Sequence, residues 1–150
     1  NGVQFLQPLA APTSFQAFCR NEETVIMSRS DSSLSFFRDW VGYKGFFGTP
    51  SGDYWLGLEN IHHLTVDRES TLKLSWRLAN DTRYTQYYKN FTVHDESWFY
   101  VMTFTSTYGG SSKIMGDSFS GSNGKMFSTF DKENDENPDH CAYTMGAGWW

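Results

Sequence analysis

With 150 residues the chain is the size of one domain and can bury a core without metals or many disulfides. Hydrophobic residues make up 39% and aromatic residues 18%, which excludes a disordered tail. A formal net charge of -5 with no run of Lys or Arg excludes the positive footprint that nucleic acid or an anionic lipid surface demands, and no apolar stretch nears the roughly 20 residues of a membrane span.

In chain order, Val3 to Phe18 is interrupted by Pro8 and Pro12 and reads as an extended edge segment leading to Cys19. Thr24 to Met27 reads as a short strand. Asp31, Ser32 and Ser33 offer caps for a short helix in which Phe36, Phe37, Trp40 and Val41 share one face, ended by Gly42, Gly45 and Gly48. Leu72, Leu74, Trp76 and Leu78 alternate with Lys73, Ser75 and Arg77, the pattern of a strand with one buried face. Tyr84, Tyr87, Phe91 and Val93 supply further strand material, with turns at Asn80 and Asn90. Trp98 to Phe104 reads as a strand covered on both faces in the middle of a sheet. From Tyr108 onward Gly, Ser, Asn and Asp predominate, so the last third is expected to be loop-rich and held by side chains and bound ions. The fold class predicted is α+β, with a central twisted antiparallel sheet, short flanking helices and a loop-rich C-terminal subdomain. The sequence opens at Asn1 and closes on two indoles, Trp149 and Trp150, which would normally pack under something; it reads as an excised or truncated piece.

Two patterns bear on compartment. Asn80-Asp81-Thr82 and Asn90-Phe91-Thr92 are glycan acceptor patterns, usable in a secreted protein. Cys19 and Cys141 lack the close spacing of a zinc site. Pairing with each other, pairing with cysteines outside this stretch, and two buried free thiols all stay open.

The strongest chemical signal is the run from Asp131 to Asp139, where oxygen-bearing side chains alternate over a short loop and can converge on a hard cation, for which calcium fits best. A solvated acidic turn explains the same composition. The run is not an EF-hand, because Glu136 stands where that loop needs Gly and Ala142 where it needs a bidentate Glu. Catalytic readings are weaker. Gly116-Asp117-Ser118 is followed by Phe119 where a protease oxyanion site needs Gly, and the closing Gly of a nucleophile elbow is also missing. His62 and His63 are adjacent and point apart, and His94 beside Asp95 and Glu96 reads as a polar turn between strands. The protein is therefore not expected to be an enzyme.

Three segments together resemble the fibrinogen-like globular domain of fibrinogen, ficolins, tachylectins, tenascins and angiopoietins. They are Phe36-Phe37-Arg38-Asp39-Trp40 with Tyr43 to Gly48 and Trp55 to Thr65; Gly116 to Phe119 with Asn123 to Thr129; and the acidic loop running into His140-Cys141-Ala142 and Gly148-Trp149-Trp150. The resemblance implies one domain over residues 1–150, with an N-terminal subdomain at about 1–30, a central sheet subdomain at 31–107 and a partial C-terminal calcium and ligand subdomain at 108–150. It implies Ca2+ held by the side chains of Glu133 and Asp135, backbone oxygens of Asn137 and Asp139, and waters. Glu133 stands where the family usually has Asp, and Asp139 where it usually has Gly, which αL-tolerant Asp can replace. It also implies that Cys19 and Cys141 pair with cysteines outside this sequence, and that the stretch after Cys19 is shortened to Asn21 through Ile26. The near wall of a ligand pocket is assigned to His140, Cys141 and Met145, with Trp149 and Trp150 as support.

The function so implied is a secreted, calcium-binding lectin that recognises acetylated carbohydrate or similar surface groups in innate recognition. The alternative is a protein-interaction domain that grips a receptor, matrix or fibrin-like peptide partner with the same region. Collagen-like or coiled-coil stalks outside the sequence would supply oligomers and avidity.

Overall fold

The computed structural model describes residues 1–31, 33–108 and 117–150. Ser32 and Gly116, both singled out in the sequence, lie outside the described residues.

The N-terminal stretch forms an antiparallel meander of β1 (Gly2–Leu6), β2 (Phe15–Arg20) and β3 (Glu23–Val25). Asn21 and Glu22 both adopt positive φ, 51° and 66°, giving the two-residue turn that matches strand twist and joins Arg20 to its partner Glu23. A second small sheet sets β6 (Tyr54–Trp55) between β4 (Met27–Ser28) and β5 (Phe47–Gly48). Gly48, at φ +91°, lies so close to its neighbour that a Cβ would stand 2.3 Å from the Asp53 carbonyl oxygen.

The helix expected to contain Phe36 starts later. α1 spans Trp40–Lys44, and its cap is Asp39, whose Oδ1 accepts from Gly42 N at 2.8 Å. Phe36 is held outside the helix because its carbonyl accepts both Arg38 N and the Tyr43 hydroxyl, and Phe37 and Val41 face solvent instead of sharing the buried stripe. α2 (Leu58–Thr65) buries Leu58, Ile61 and Thr65, one face of two turns. Its cap Gly57 has φ +99°, and a Cβ there would meet the Lys44 carbonyl oxygen at 2.8 Å, so glycine is what lets the two helices approach.

The alternation in 72–78 does give a strand. β7 (Leu72–Arg77) pairs with β8 (Arg83–Lys89) in a hairpin whose other neighbour is β11 (Ser106–Tyr108). Residues 98–104 depart from the expected central strand. A 3-10 turn at Glu96–Trp98 is followed by Phe99 and Tyr100 at φ 50° and 51°, and only Met102–Thr103 (β10) pairs, with β9 (Thr92–Val93). Two successive left-handed residues cannot continue a pleated strand. Antiparallel α+β holds as the class, while the expected central sheet is divided among the described residues into pieces of two or three strands.

The core is aromatic. Phe127, fully buried, touches Tyr43 at 5.1 Å, Trp55 at 6.1 Å, Trp40 at 6.3 Å and Trp150 at 4.8 Å between ring centroids. Full burial of one such ring is worth about 1.5–3 kcal/mol. Through Phe127 the core reaches the last third of the sequence, where α3 (Cys141–Met145) forms the one α-helix described in a stretch expected to be loop.

Candidate calcium loop and partner-binding face

The acidic loop is suspended from this core. Asn134 Nδ2 donates to the Phe127 carbonyl at 2.7 Å and Asn134 N to Ser128 Oγ at 3.0 Å. Ser128 in turn exchanges both backbone hydrogen bonds with Trp149, and Gly148 N donates to the Tyr43 hydroxyl at 3.0 Å. The Trp150 indole N–H reaches the Tyr100 carbonyl at 2.7 Å. Asn134 and the paired indoles thus fix both ends of the segment 133–150.

Within the loop, side-chain oxygens take backbone N–H groups two residues on. Glu133 Oε1 accepts from Asp135 N at 3.2 Å, Asp135 Oδ1 from Asn137 N at 2.8 Å, and Asn137 Oδ1 from Asp139 N at 3.1 Å. These successive turns curl residues 133–139 and set Glu133 and Asp135 on the same short arc. Asp135 Oδ2 also accepts from Cys141 N at 3.2 Å, tying the arc to the start of α3. Burial pushes the Asp135 carboxyl up, but the hydrogen bonds from Asn137 and Cys141 and the contact with Glu133 outweigh it and hold the group below the usual carboxylate range. Burial and the neighbouring Asp135 charge push the Cys141 thiol up, so sulfur is a poor ligand here at neutral pH.

These residues suit a hard cation in their donor chemistry. The Asp135 oxygens and Glu133 Oε1 each accept one backbone hydrogen bond, leaving lone pairs free. Among the described residues no group of three or more His, Cys, Asp and Glu side chains is placed to hold a metal. A cation on this arc would therefore rest on Glu133 and Asp135, with backbone oxygens and water supplying the rest. Glu133 Oε2 has a competing partner, His140 Nδ1 at 2.6 Å. That nitrogen cannot donate to Glu133 and also accept from Tyr143 N, which lies 3.3 Å away, so the shorter contact prevails. Asp131 belongs elsewhere: its Oδ1 accepts from Trp40 N at 2.9 Å and from Thr129 Oγ1 at 2.7 Å, capping α1 from 91 residues away.

The nominated pocket residues do not share one environment. His140 and Cys141 are half-buried at the start of α3, whereas Met145 is 80% exposed at its end. Trp149 walls two cavities, of about 180 and 340 Å3, that other residues line. The larger is lined by Gln86, 2% exposed, whose Nε2 has no hydrogen-bond partner among the described residues; a buried glutamine opposite Leu74 in the hairpin register was not among the sequence-predicted residues. Cys19 and Cys141 are both free thiols here, not bonded to each other. Asn80 and Asn90 are exposed, the first in the hairpin turn between β7 and β8 and the second at φ 52° after β8.

The sets weighed for catalysis are occupied structurally. Asp95 Oδ1 accepts Ser97 N at 2.9 Å, and Glu96 accepts the Trp40 indole N–H at 2.7 Å and pairs with Lys44. The Asp117 carboxylate accepts from the Tyr88 hydroxyl at 2.8 Å and from Ser120, while Phe119 stacks on Phe104 at 5.6 Å. No helix among the described residues is long and apolar enough to cross a membrane.

Small antiparallel sheets, an aromatic core tied to a paired tryptophan segment and a curled acidic loop define a fibrinogen-type globe. The protein belongs to the family of the C-terminal globular domain of fibrinogen beta and gamma chains, whose family model matches residues 1–150. It is 36% identical to human angiopoietin-related protein 1 and 36% identical to human fibrinogen-like protein 1, with 100% of its own length covered in each case. It spans 31% of the first and 53% of the second, about a third and a half of those relatives. Among solved structures, the fibrinogen-like globe domain of human ANGPTL2 superposes with a TM-score of 0.92 at 33% identity, covering 99% of this protein and 69% of that one. The lamprey fibrin D-dimer, complexed with the peptide ligand Gly-His-Arg-Pro-amide, superposes with a TM-score of 0.87 at 32% identity, covering 99% of this protein and 52% of that one.

Proposed function

We propose that the protein is an extracellular, non-catalytic recognition domain that holds a protein partner, with calcium ordering the loop of Glu133, Asp135, Asn137 and Asp139 beside the binding face. One observation carries this reading: the curled loop is pinned to the core through Asn134 and runs directly into α3, which presents Tyr143 and Met145 at 65% and 80% exposure. Two large exposed side chains on one short helix beside the loop offer contact area to a macromolecule. Bound calcium would supply positive charge that offsets the repulsion between the two carboxylates and stiffens the arc.

A protein partner is favoured over acetylated carbohydrate. A small acetyl group needs a concave, mostly apolar pocket, and His140, Cys141 and Met145 differ too much in exposure to line one together. The relatives point the same way, through their angiopoietin-related and fibrinogen names and through the peptide ligand of the lamprey structure. Extracellular placement accords with the exposed Asn80 and Asn90 acceptors. The test is passage of the calcium-loaded protein over N-acetylglucosamine resin in parallel with a random-peptide array. Flow-through on the resin with array binding that a chelator weakens is expected. Retention on the resin, released by free N-acetylglucosamine, would overturn the protein-partner reading in favour of the lectin.

A further inference from the structure

The apolar face of the β7–β8 hairpin is closed at one end and open at the other. The register sets Leu72, Leu74 and Trp76 opposite Tyr88, Gln86 and Tyr84 on this face, and alternation sends Lys73, Arg77 and Arg83 to the other. Leu72 and Tyr88 are buried, and the Tyr88 ring meets Phe119 at 4.9 Å between centroids, whereas Leu74 and Trp76 are half-buried. Phe119 in turn meets Trp149 edge-on at 6.1 Å. The cavity of about 340 Å3 opens here, with the rings of Trp76, Tyr88, Phe119 and Trp149 in its wall. That volume is at the small end of the range for small-molecule sites, about 300–1,000 Å3.

Gln86 gives the cavity one polar point. It is 2% exposed, and its Nε2 has no hydrogen-bond partner among the described residues. A buried donor without an acceptor is costly, and an aliphatic side chain at this strand position would carry no such cost. Two hydroxyls of the same wall are already engaged: that of Tyr88 donates to Asp117 Oδ1 at 2.8 Å, and Ser122 Oγ donates to the Trp150 carbonyl at 3.3 Å. Gln86 Nε2 therefore calls for an acceptor from a ligand. The Asp117 carboxylate, bonded to Tyr88 beside the cavity, disfavours an anion there, and an ammonium group would offer Nε2 no lone pair. An uncharged carbonyl meets both conditions, and the four rings favour an aromatic body.

We propose that the cavity between the β7–β8 hairpin and the Phe119 and Trp149 rings binds a small uncharged aromatic compound through a carbonyl oxygen that accepts from Gln86 Nε2. This site is separate from α3 and the acidic loop and does not depend on the protein-partner reading.

The experiment is a titration of 15N-labelled protein, followed by NMR, with indan-1-one, indane and indane-1-carboxylate. Indan-1-one is expected to shift the Gln86 side-chain amide, to saturate with a Kd of about 1 mM or tighter, and to bind about tenfold tighter than either analogue. Indane is the more hydrophobic of the pair, so it would bind tighter in a cavity that made no hydrogen bond to the ketone. In Gln86→Leu, which puts an aliphatic side chain of similar length on an apolar face, indane is expected to overtake indan-1-one. Equal or tighter binding of indane in wild type, a preference for the ketone that survives in Gln86→Leu, or an unmoved Gln86 amide would overturn the site, the last leaving a cavity that holds water only. The wild-type comparison decides the matter alone if the variant does not fold.

Discussion

Tyr43→Phe removes a single oxygen on which two distant parts of the sequence depend. The hydroxyl donates to the Phe36 carbonyl at 2.6 Å and accepts from Gly148 N at 3.0 Å, both in buried surroundings, so it joins the approach to α1 to the backbone of the paired indoles. Its loss leaves one buried acceptor and one buried donor without that partner, at about 1–3 kcal/mol each. Phe36 O retains its bond from Arg38 N, which places its share at the low end. Tyr43 also lines a cavity of about 180 Å3, and a water admitted there would recover part of the cost. The net loss is therefore set at about 2–3 kcal/mol, which for a protein of this size lowers the melting temperature by roughly 4–12 °C. Scanning calorimetry of Tyr43→Phe beside Tyr143→Phe, whose ring is exposed, measures it. A melting temperature for Tyr43→Phe within about 1 °C of that of the Tyr143→Phe control would refute the claim that this hydroxyl locks the C-terminal segment to the core.

Glu96 is held below the usual carboxylate range first by the hydrogen bond from Lys44 and then by the Trp40 indole. A depressed folded pKa contributes stability that is present above the unfolded value, about 4.3, and is lost as pH falls through the folded value. Glu96→Gln is accordingly expected to be less stable than wild type at neutral pH, with the gap closing on acidification below pH about 4; urea melts across pH check this, and a gap independent of pH would contradict it. Expression through a mammalian secretory route is expected to add glycans at Asn80 and Asn90, read as two mobility steps on enzymatic deglycosylation and one step in Asn80→Gln or Asn90→Gln. Absence of any step would remove that support for the extracellular reading.

The hairpin of β7 and β8 was legible because alternation of Leu72, Leu74 and Trp76 against polar neighbours is a local pattern with one solution. The acidic loop was legible for the same reason, since oxygen-bearing side chains recur at the spacing that side-chain-to-backbone turns use. Residues 98–104 misled because aromatic and β-branched content reports burial rather than backbone geometry, and nothing local announces left-handed Phe99 and Tyr100. α2 carried a usable signal in Leu58, Ile61 and Thr65, three and four residues apart, which the adjacent histidines obscured. The capture of Glu133 by His140 and of Trp40 N by Asp131 arises from tertiary contacts and leaves no sequence pattern. The exposed stacking of Phe37 on Phe130 is of the same kind; helical periodicity alone placed Phe37 on one face with Phe36, Trp40 and Val41.

The central claim, that the 133–139 arc takes calcium and thereby orders the binding face, is tested most directly by calorimetric titration of calcium into chelator-treated protein, with melting curves at each end point. The account predicts saturable binding, a raised melting temperature and loss of both in Asp135→Ala, because ligand binding to the folded state alone must stabilise it. Heats indistinguishable from dilution, with unchanged melting curves in wild type and variant, would contradict it.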